Sequence, residues 1–366
     1  MKKIIYIITT SDISYQQPLI RTATSLQQAG YDVKMIGRKL PDSIALNGLP
    51  FKHTRIRCIF NKKWTFYLEF NLRVFFCLLF TKQDAICAVD LDTSLPVLFV
   101  SRLKRIPRIY DARELFTEMK TVIDRPRIAR TWKKIERYCL PKFSFGYAVS
   151  KSIADELHKR YGVNYTTIRN VPILRDQRSA NTSQSEEPYI LYQGYIHEAR
   201  GIEELIIAMQ HVSMKLVICG KGSLFDRCTK LVSDLNLQSK VIFKGLIPPE
   251  QLPAYTENAY IGINLVEPSG LNQYFSLANK FFDYIHAQVP QLSMNFPEYK
   301  RVNDEYEVGV LIDNIDPKSI LAGIQTLIEN KSLYTRLKEN CKLARTKLNW
   351  QQEEKNLLAF YQKVVQ

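Results

Sequence analysis

The stretch YILYQGYIHEARGIEELIIAMQHVSMKLVICG, residues 189–220, decides the fold class. It opens with an apolar run, YILYQGYI at 189–196, that is typical of a buried strand. A helical pattern follows over residues 201–211, and KLVICG at 215–220 predicts a second strand. A strand, a helix and a strand joined by short loops form a β-α-β unit, whose two strands lie parallel in one sheet.

The same alternation extends in both directions along the chain. Toward the C-terminus we expect a helix over 222–235, strand VIFKGL, a short helix over 249–257 and strands AYIGINLV, VPQLSMN and GVLID before a helical tail. Toward the N-terminus we expect strands KIIYIIT, DVKMIG, AICAVD, RIPRIYDA and FGYAVS, with helices over 18–29, 93–104 and 126–140. The polar segment 173–188 interrupts the pattern and is predicted to be a linker. We therefore predict an α/β protein with two Rossmann-like domains, whose parallel sheets face a central cleft.

Composition limits the class of protein. The length of 366 residues suits two domains, and a net charge of +15 favours anionic partners. The seven cysteines include no C-x-x-C pair, so neither a zinc site nor a disulfide framework is expected, and a reducing cytoplasm fits best. The N-terminal MKKIIYIITTSD is too short an apolar run for a signal peptide and predicts a buried strand. VFFCLLF at 74–80 is too short to span a bilayer.

Candidate ligand-binding residues follow the strands of the second half. Gly194, Gly220 and Gly222 come at strand ends, where glycine lets the backbone approach a ligand closely. Arg200 precedes the next helix, and helix N-termini favour phosphate. The alternative is that these loops only connect strand to helix.

A second phosphate-accepting loop is expected before the helix that contains NKFFDY, residues 279–284. Asn279 and Lys280 begin this helix, and Asp283 lies one turn further in. A loop and helix end that bind a diphosphate, followed by a carboxylate that accepts hydrogen bonds from a ribose diol, could hold a nucleotide sugar.

These motifs resemble the nucleotide-sugar domain of the GT-B glycosyltransferases, specifically glycosyltransferase family 4. The likeness covers about residues 186–362, including VIFKGLIPPEQLPAYTENAYIGINLV and a closing helix similar to NWQQEEKNLLAFYQKV, and it is looser over 1–172. The resemblance implies an acceptor domain over 1–172, a nucleotide-sugar domain over 189–348 and a helix over 349–366 that crosses back to the first domain. It also implies transfer with retention at the anomeric carbon, without a metal or a cofactor.

Several positions depart from the family pattern. Asp283 stands where a Glu is usual, and Phe275 stands where the E-x7-E form has an earlier Glu. Tyr195 and Arg200 occupy places that often hold Arg and Lys. Arg200 can still clamp a diphosphate with its planar fork. Lys280 is either a second positive charge for the diphosphate or a structural lysine.

In the first half, IPRIYDARELFTE resembles the family stretch that often carries a His, and here that position is Arg113. An arginine cannot act as a general base near neutral pH, but it can stabilise a leaving phosphate. The alternative is an ion pair between Asp111 and Arg113 that braces a loop.

Four acidic residues are candidates for the acceptor side: Asp12, Asp90, Asp92 and Glu114. Asp90 or Asp92 would orient an acceptor hydroxyl, although Asp92 could equally cap the following helix. Asp12 belongs to the loop TSDIS, which we expect to line the cleft.

Basic residues concentrate in the first half. Arg127, Arg130, Lys134 and Arg137 share one face of a predicted helix, and Lys62 and Lys63 precede Trp64. This pattern is either a solvated surface or a docking site for anionic lipid headgroups. We recognise no nucleic-acid-binding module.

The sequence thus predicts a cytoplasmic glycosyltransferase that moves a sugar from a nucleotide-diphosphate donor to a saccharide or lipid-linked acceptor. A peripheral location at the inner face of the cell membrane stays open. A bacterial envelope polysaccharide or glycolipid pathway is the expected setting. Two alternatives stay open, a nucleotide-sugar epimerase on the same scaffold and a non-catalytic subunit that binds nucleotide sugar or lipid.

Overall fold

The computed structural model describes residues 2–175 and 187–365, which divide into two compact units. The first unit comprises Met1–Asn170 and Glu353–Gln366, and the second comprises Val171–Gln352. Most of the expected linker, residues 176–186, lies outside the described residues.

The first unit is built on a seven-stranded parallel sheet. Its strands are β1 (Ile4–Asp12), β2 (Asp32–Arg38), β3 (Lys52–Ile56), β4 (Ala85–Val89), β5 (Arg108–Ala112), β6 (Phe145–Ala148) and β7 (Thr166–Thr167). Their order is β3-β2-β1-β4-β5-β6-β7. Its helices are α1 (Gln17–Gln28), α2 (Lys63–Leu79), α3 (Ser94–Lys104), α4 (Lys120–Ile123), α5 (Pro126–Cys139) and α6 (Lys151–Tyr161). The apolar N-terminal run forms β1, and its side chains from Ile5 to Ile8 are buried in the sheet.

The second unit repeats this architecture with six parallel strands. They are β8 (Tyr189–Gln193), β9 (Lys215–Cys219), β10 (Val241–Gly245), β11 (Ile261–Asn264), β12 (Gln291–Met294) and β13 (Gly309–Ile312), in the order β10-β9-β8-β11-β12-β13. The helices are α7 (Ile202–Ala208), α8 (Phe225–Asp234), α9 (Leu252–Glu257), α10 (Leu271–Tyr274), α11 (Asn279–His286), α12 (Pro297–Tyr306), α13 (Pro317–Glu329), α14 (Lys331–Lys347) and finally α15 (Trp350–Val364), whose residues from Glu353 onward belong to the first unit.

Both sheets have the strand order of a doubly wound Rossmann fold, which confirms the predicted fold class of two Rossmann-like α/β domains. The order reverses between β1 and β4 in one unit and between β8 and β11 in the other. In open parallel sheets, ligands bind beyond the carboxyl ends of the strands at such a reversal. A ligand site is therefore expected in each unit at the edge of the sheet formed by the carboxyl ends of its strands.

Six elements of the structure were not predicted from the sequence: the strands β3 and β7 and the helices α4, α6, α10 and α12. The strand β3 reads KHTRI and is an edge strand with mostly polar, part-exposed residues, so it lacks the apolar run of a buried strand. By contrast, α6 carried readable signals. The Ser150 hydroxyl accepts a hydrogen bond from the backbone N–H of Ile153, and Gly162 ends the helix with φ +70°.

The end of α15 packs into the first unit through aromatic and ionic contacts. Tyr361 is fully buried, with its ring centroid 6.3 Å from that of Tyr147 and 6.5 Å from that of Tyr31. The carboxylate of Glu353, on the same helix, accepts a hydrogen bond of 2.6 Å from Arg169 Nε. The C-terminal helix therefore completes the core of the first unit.

We expect Tyr361→Ala to lower the free energy of unfolding of the first unit by about 3–5 kcal/mol, because it leaves a cavity where a large buried ring was. Urea denaturation followed by tryptophan fluorescence and circular dichroism measures the change. Tyr361→Phe keeps the ring and is the matched control, with a much smaller loss. Equal stability of the Ala variant and the wild type would contradict the packing role of α15.

Candidate functional site

The loops that follow β8 and β9 lie against each other at the sheet edge of the second unit. The backbone N–H of Gly194 donates to the carbonyl of Cys219 over 3.0 Å. A Cβ atom at Gly220 would lie 1.9 Å from the carbonyl oxygen of Gly194, and one at Gly222 would lie 2.0 Å from that of Ile196. Contact between the loops therefore explains the glycines at 220 and 222 without a ligand.

Gly194 differs from these two glycines in its backbone conformation and in its nearest neighbour, which is a charged side chain. Its φ is +133°, a conformation that residues with a Cβ rarely adopt. A Cβ placed there would lie 3.4 Å from Lys280 Nζ. The backbone at Gly194 therefore lies beside the buried ammonium.

Lys280 is buried in the first turn of α11. Its Nζ lies 3.8 Å from the ring centroid of Tyr192, and no hydrogen-bond acceptor reaches it in the part of the chain that the structure describes. Burial lowers the pKa of this ammonium well below its usual value, and the positive charge of Arg200 lowers it further, against the opposing effect of Asp283. A buried ammonium without an acceptor is costly, and an anion beside it would remove that cost.

The other predicted residues of this edge differ in their contacts and in their exposure. Asp283 Oδ2 accepts a hydrogen bond of 2.9 Å from Gln193 Nε2, which orients the carboxylate. Arg200 Nε lies 3.3 Å from His197 Nε2. Asn279, the first residue of α11, is exposed, and Tyr195 is 65% exposed.

In the first unit, Asp90 organises the loop that follows β5. Its Oδ1 accepts hydrogen bonds from the backbone N–H groups of Arg113 at 2.8 Å and Glu114 at 3.1 Å. Asp90 itself has φ +57°, an unusual value for a residue with a side chain. Burial raises the pKa of its carboxyl well above the ordinary value, and the nearby charges of Glu114 and Asp92 raise it further. The side chain of Glu114 is exposed.

Asp111 and Arg113 form the ion pair that the sequence left as an alternative. Arg113 Nε donates to Asp111 Oδ2 over 3.0 Å, and the Tyr147 hydroxyl donates to the same oxygen over 3.2 Å. Within the described residues Asp111 Oδ1 has no hydrogen-bond partner. Burial raises the pKa of Asp111, with Arg113 acting in the opposite direction. The pair therefore braces the loop, and the predicted contact of Arg113 with a leaving phosphate stays a prediction.

Asp92 does not cap the following helix. The N-cap of α3 is Thr93, and no side chain caps it, so the capping alternative is wrong. The Asp92 carboxylate instead accepts a hydrogen bond from the hydroxyl of Thr10, in the loop end of β1. Burial raises the pKa of Asp92 to about 7, although the hydrogen bond from Thr10 lowers it. The charge of Asp92 therefore changes near neutral pH.

Asp12 has a bracing position. Its carboxylate accepts hydrogen bonds from the backbone N–H of Ser14 at 3.0 Å and from the hydroxyl of Ser43, and it lies 3.8 Å from Arg55 Nη1. Burial raises the pKa of Asp12, but the hydrogen bonds from Ser43 and Ser14 outweigh it, so the net pKa is lowered. These contacts give Asp12 a role in holding the loop after β1.

Gln193 and Tyr192 were not predicted as site residues, and Thr10 was included only as part of the loop TSDIS. Gln193 is buried at the end of an apolar strand, where its amide joins Asp283 to the Thr256 hydroxyl, whose oxygen lies 2.7 Å from Gln193 Oε1. A polar residue that ends an apolar strand was a readable signal for Gln193. The contacts of Tyr192 and Thr10 are made with residues more than 80 positions away, so the local sequence holds no trace of them.

Two family models each match one part of the chain. The model for glycosyl transferases group 1 matches residues 175–344, and the model for glycosyltransferase family 4 matches residues 19–172. The chain is a GT-B glycosyltransferase of the group 1, family 4 type. The predicted family is thereby confirmed. No curated protein sequence matches this glycosyltransferase.

Solved structures share the fold of this glycosyltransferase at low sequence identity. Sucrose-phosphate synthase from Thermosynechococcus elongatus is 17% identical, with a TM-score of 0.77 and 99% of each chain covered. Anabaena Alr3699/HepE in complex with UDP and glucose is 12% identical, with a TM-score of 0.77, 99% of this chain and 100% of that chain covered. WaaG, a glycosyltransferase involved in lipopolysaccharide biosynthesis, is 13% identical, with a TM-score of 0.73, 96% of this chain and 98% of that chain covered.

Over residues 2–175 and 187–365, no helix of this glycosyltransferase is both long and apolar enough to cross a membrane. In particular, the VFFCLLF run lies in α2, which ends at Leu79.

We expect Lys280→Met to raise the free energy of unfolding of the ligand-free protein by roughly 1–3 kcal/mol, because the variant no longer buries an ammonium without an acceptor. Since the folded-state pKa of Lys280 is depressed, the wild type loses stability as pH falls below about 10.4, the usual lysine pKa, while the variant does not. The gain in stability should therefore grow as the pH is lowered from 10 toward neutral.

Urea denaturation at several pH values measures this difference. Lys230→Met, at an exposed position of α8, is the matched control and should leave the stability unchanged. A Lys280→Met variant less stable than the wild type at every pH would show that the ammonium has a stabilising partner.

Proposed function

We propose that this glycosyltransferase moves a hexosyl group from a nucleotide-diphosphate donor to an acceptor hydroxyl, with retention at the anomeric carbon. The observation that carries the proposal is the buried Lys280 ammonium without a hydrogen-bond acceptor, next to Gly194 and near the charge of Arg200. Two cations at one sheet edge suit a diphosphate, whose oxygens supply the acceptors that Lys280 lacks.

The same geometry would also position the ribose of the donor's nucleoside. Gln193 fixes the carboxylate of Asp283 on the face of α11 that also carries Lys280, one turn earlier. A carboxylate in this position can accept hydrogen bonds from a ribose diol. Support comes from the similar fold of Anabaena Alr3699/HepE, which was solved with UDP and with UDP-glucose.

In the proposed reaction the protein acts by positioning and by charge. The bond between the anomeric carbon and the diphosphate oxygen breaks, and the acceptor oxygen forms a bond to the same carbon. The acceptor's hydroxyl proton passes to the leaving diphosphate, on which negative charge grows. Lys280 and Arg200 stabilise that charge, and Lys280 does so most strongly because it is excluded from water. Because these side chains supply the positive charge, we propose that the transfer requires neither a metal ion nor a cofactor.

The acceptor side is proposed to lie at the acidic edge of the first unit. Asp92 would hold the acceptor hydroxyl when its carboxyl is ionised, and Asp90 and Asp111 would keep the surrounding loops in place. Arg113 is proposed to help the leaving phosphate. The proposed acceptor is a saccharide or lipid-linked saccharide of a bacterial envelope, reached from the cytoplasm. Support comes from the similar fold of WaaG, a glycosyltransferase involved in lipopolysaccharide biosynthesis.

The test is the release of nucleoside diphosphate from a panel of nucleotide sugars, with membrane extract as acceptor. We expect release that depends on the acceptor and is unchanged by EDTA. Lys280→Ala and Arg200→Ala should each weaken donor binding in calorimetry by about tenfold or more, because each removes a charge-assisted contact with the diphosphate. Lys230→Ala should bind the donor like the wild type.

Other outcomes of this assay would overturn the proposal. Conversion of the free sugar without an acceptor would indicate an epimerase. Donor binding without turnover of any donor would indicate a non-catalytic subunit. Unchanged donor binding by both variants would remove Lys280 and Arg200 from the site, and loss of activity in EDTA would overturn metal independence.

We expect kcat/KM for the acceptor to rise as the pH increases through about 7, because the Asp92 carboxyl loses its proton there and then accepts a hydrogen bond from the acceptor hydroxyl. Asp92→Asn should abolish this step and lower kcat/KM at high pH. Asp42→Asn, at an exposed position of the same unit, is the control. A pH profile that keeps its step near 7 in Asp92→Asn would assign the ionisation to another group.

A further inference from the structure

The outer face of α2 exposes a continuous line of large apolar side chains. Trp64, Leu68, Leu72, Phe76 and Phe80 follow one another at four-residue spacing, from the start of the helix to its C-cap, and are 70%, 51%, 49%, 53% and 81% exposed. Residues four positions apart are neighbours on a helix surface, so these side chains form one stripe. An apolar patch of this length on a protein surface marks an interaction site.

The stripe extends onto α3 at the C-terminal ends of both helices. Lys104 Nζ, at the end of α3, donates to the carbonyl of Thr81 just beyond α2, so the two helix ends lie side by side. On α3, Phe99 and Leu103 are 46% and 67% exposed at four-residue spacing. The apolar stripe therefore has a second row at this end.

Cations surround the apolar stripe. Lys62 and Lys63 lie at the start of α2, and Lys82, Arg102 and Arg105 lie near the ends of α2 and α3, all of them exposed. On the α5 side, the ring centroid of Tyr67 lies 5.2 Å from that of Trp132, which places α5 beside α2. Arg127, Arg130, Lys134 and Arg137 of α5 are all exposed, so the predicted basic face points to solvent.

We propose that α2 lies flat on an anionic lipid bilayer, with its apolar stripe in the boundary between headgroups and acyl chains. A helix that inserts an apolar face while flanking cations meet anionic headgroups is a recognised mode of interfacial binding. A protein partner would not need the excess of positive charge that surrounds the stripe. The net charge of +15 acts in the same direction.

This inference deepens the proposed function and rests on it for the identity of the lipid-linked acceptor. The inner side of α2 reaches the candidate acceptor edge, because Asn71 Nδ2 donates to the carbonyl of Asp92 over 2.9 Å. A helix that contacts lipid on one side and the Asp92 loop on the other would bring that loop to the membrane surface, where a lipid-linked acceptor is presented.

Vesicle flotation tests the docking surface without donor or acceptor. We expect the full chain to float with vesicles of phosphatidylcholine mixed with phosphatidylglycerol, and much less with phosphatidylcholine alone. Phe76→Ser combined with Phe80→Ser should reduce the vesicle-bound partition coefficient by about tenfold or more, since two large apolar groups no longer enter the bilayer. Leu343→Ser, at a 66% exposed position of α14, is the matched control and should bind like the wild type.

The charge contribution is tested separately. Arg130→Glu combined with Lys134→Glu should weaken binding to the anionic vesicles, whereas Lys230→Glu should do so far less. Trp64 supplies a direct readout, because entry of its ring into the boundary should shift the emission to the blue, and Trp64→Phe should remove the shift. Circular dichroism of every variant confirms that it is folded.

Three results would overturn the inference. The first is unchanged flotation of the Phe76→Ser, Phe80→Ser variant, and the second is equal binding of the wild type to neutral and anionic vesicles. The third is that neither protein floats and that the wild type forms a dimer which the variant does not form. Nucleoside diphosphate release with a water-soluble acceptor reports on transfer independently. A wild type that does not dock on anionic vesicles while transfer is intact therefore refutes this inference alone, and docking without transfer refutes the proposed function alone.

Discussion

The hydrogen bonds between the loops after β8 and β9 are the constraint on which the candidate donor site depends. They hold Gly194 against the neighbouring loop, in a conformation that a side chain would disfavour. The Lys280 ammonium lies beside the Gly194 backbone and 3.8 Å from the centroid of the Tyr192 ring. The packing of two strand-to-helix connections thus buries a lysine whose ammonium has no hydrogen-bond acceptor within the described residues.

The two sheet edges have opposite electrostatic character. In the second unit, burial and Arg200 act against the charge of Lys280, so the site gains most from an anionic ligand. In the first unit, burial and the nearby negative charges of Glu114 and Asp92 raise the pKa of Asp90. The pKa of Asp92 is raised to about 7. A cationic edge suits the diphosphate of a donor, and an acidic edge suits the hydroxyl of an acceptor. The fold is the same in both units, and the residues at the strand ends decide the difference.

Much of the fold could be predicted because its causes are local. Apolar runs and helical periodicity identified most strands of both sheets, while the polar edge strand β3 gave no such signal. The positions of Lys280 and Asp283 on one helix also follow from spacing. The hydrogen bonds of the site carboxylates could not be predicted, because their partners are distant in the sequence. Gln193 lies 90 positions from Asp283, and Thr10 lies 82 positions from Asp92. Likewise, the exposure of the α2 stripe depends on what packs beside the helix, since the same apolar residues would suit a fully buried one.

The helix α2 connects the apolar stripe, the proposed lipid-docking surface, to the acidic edge of the first unit. Tyr67 and Asn71 point inward from α2, where Asn71 binds the carbonyl of Asp92 and the charge of Asp92 raises the pKa of Tyr67 after the larger effect of burial. The side chains of Leu68 and Leu72 point outward from the same two turns. A helix is stiff over this distance, because its backbone hydrogen bonds repeat at every residue. Any displacement of α2 by lipid would therefore be transmitted to the Asp92 loop, so the proposed membrane contact and the proposed acceptor positioning both depend on the placement of a single helix.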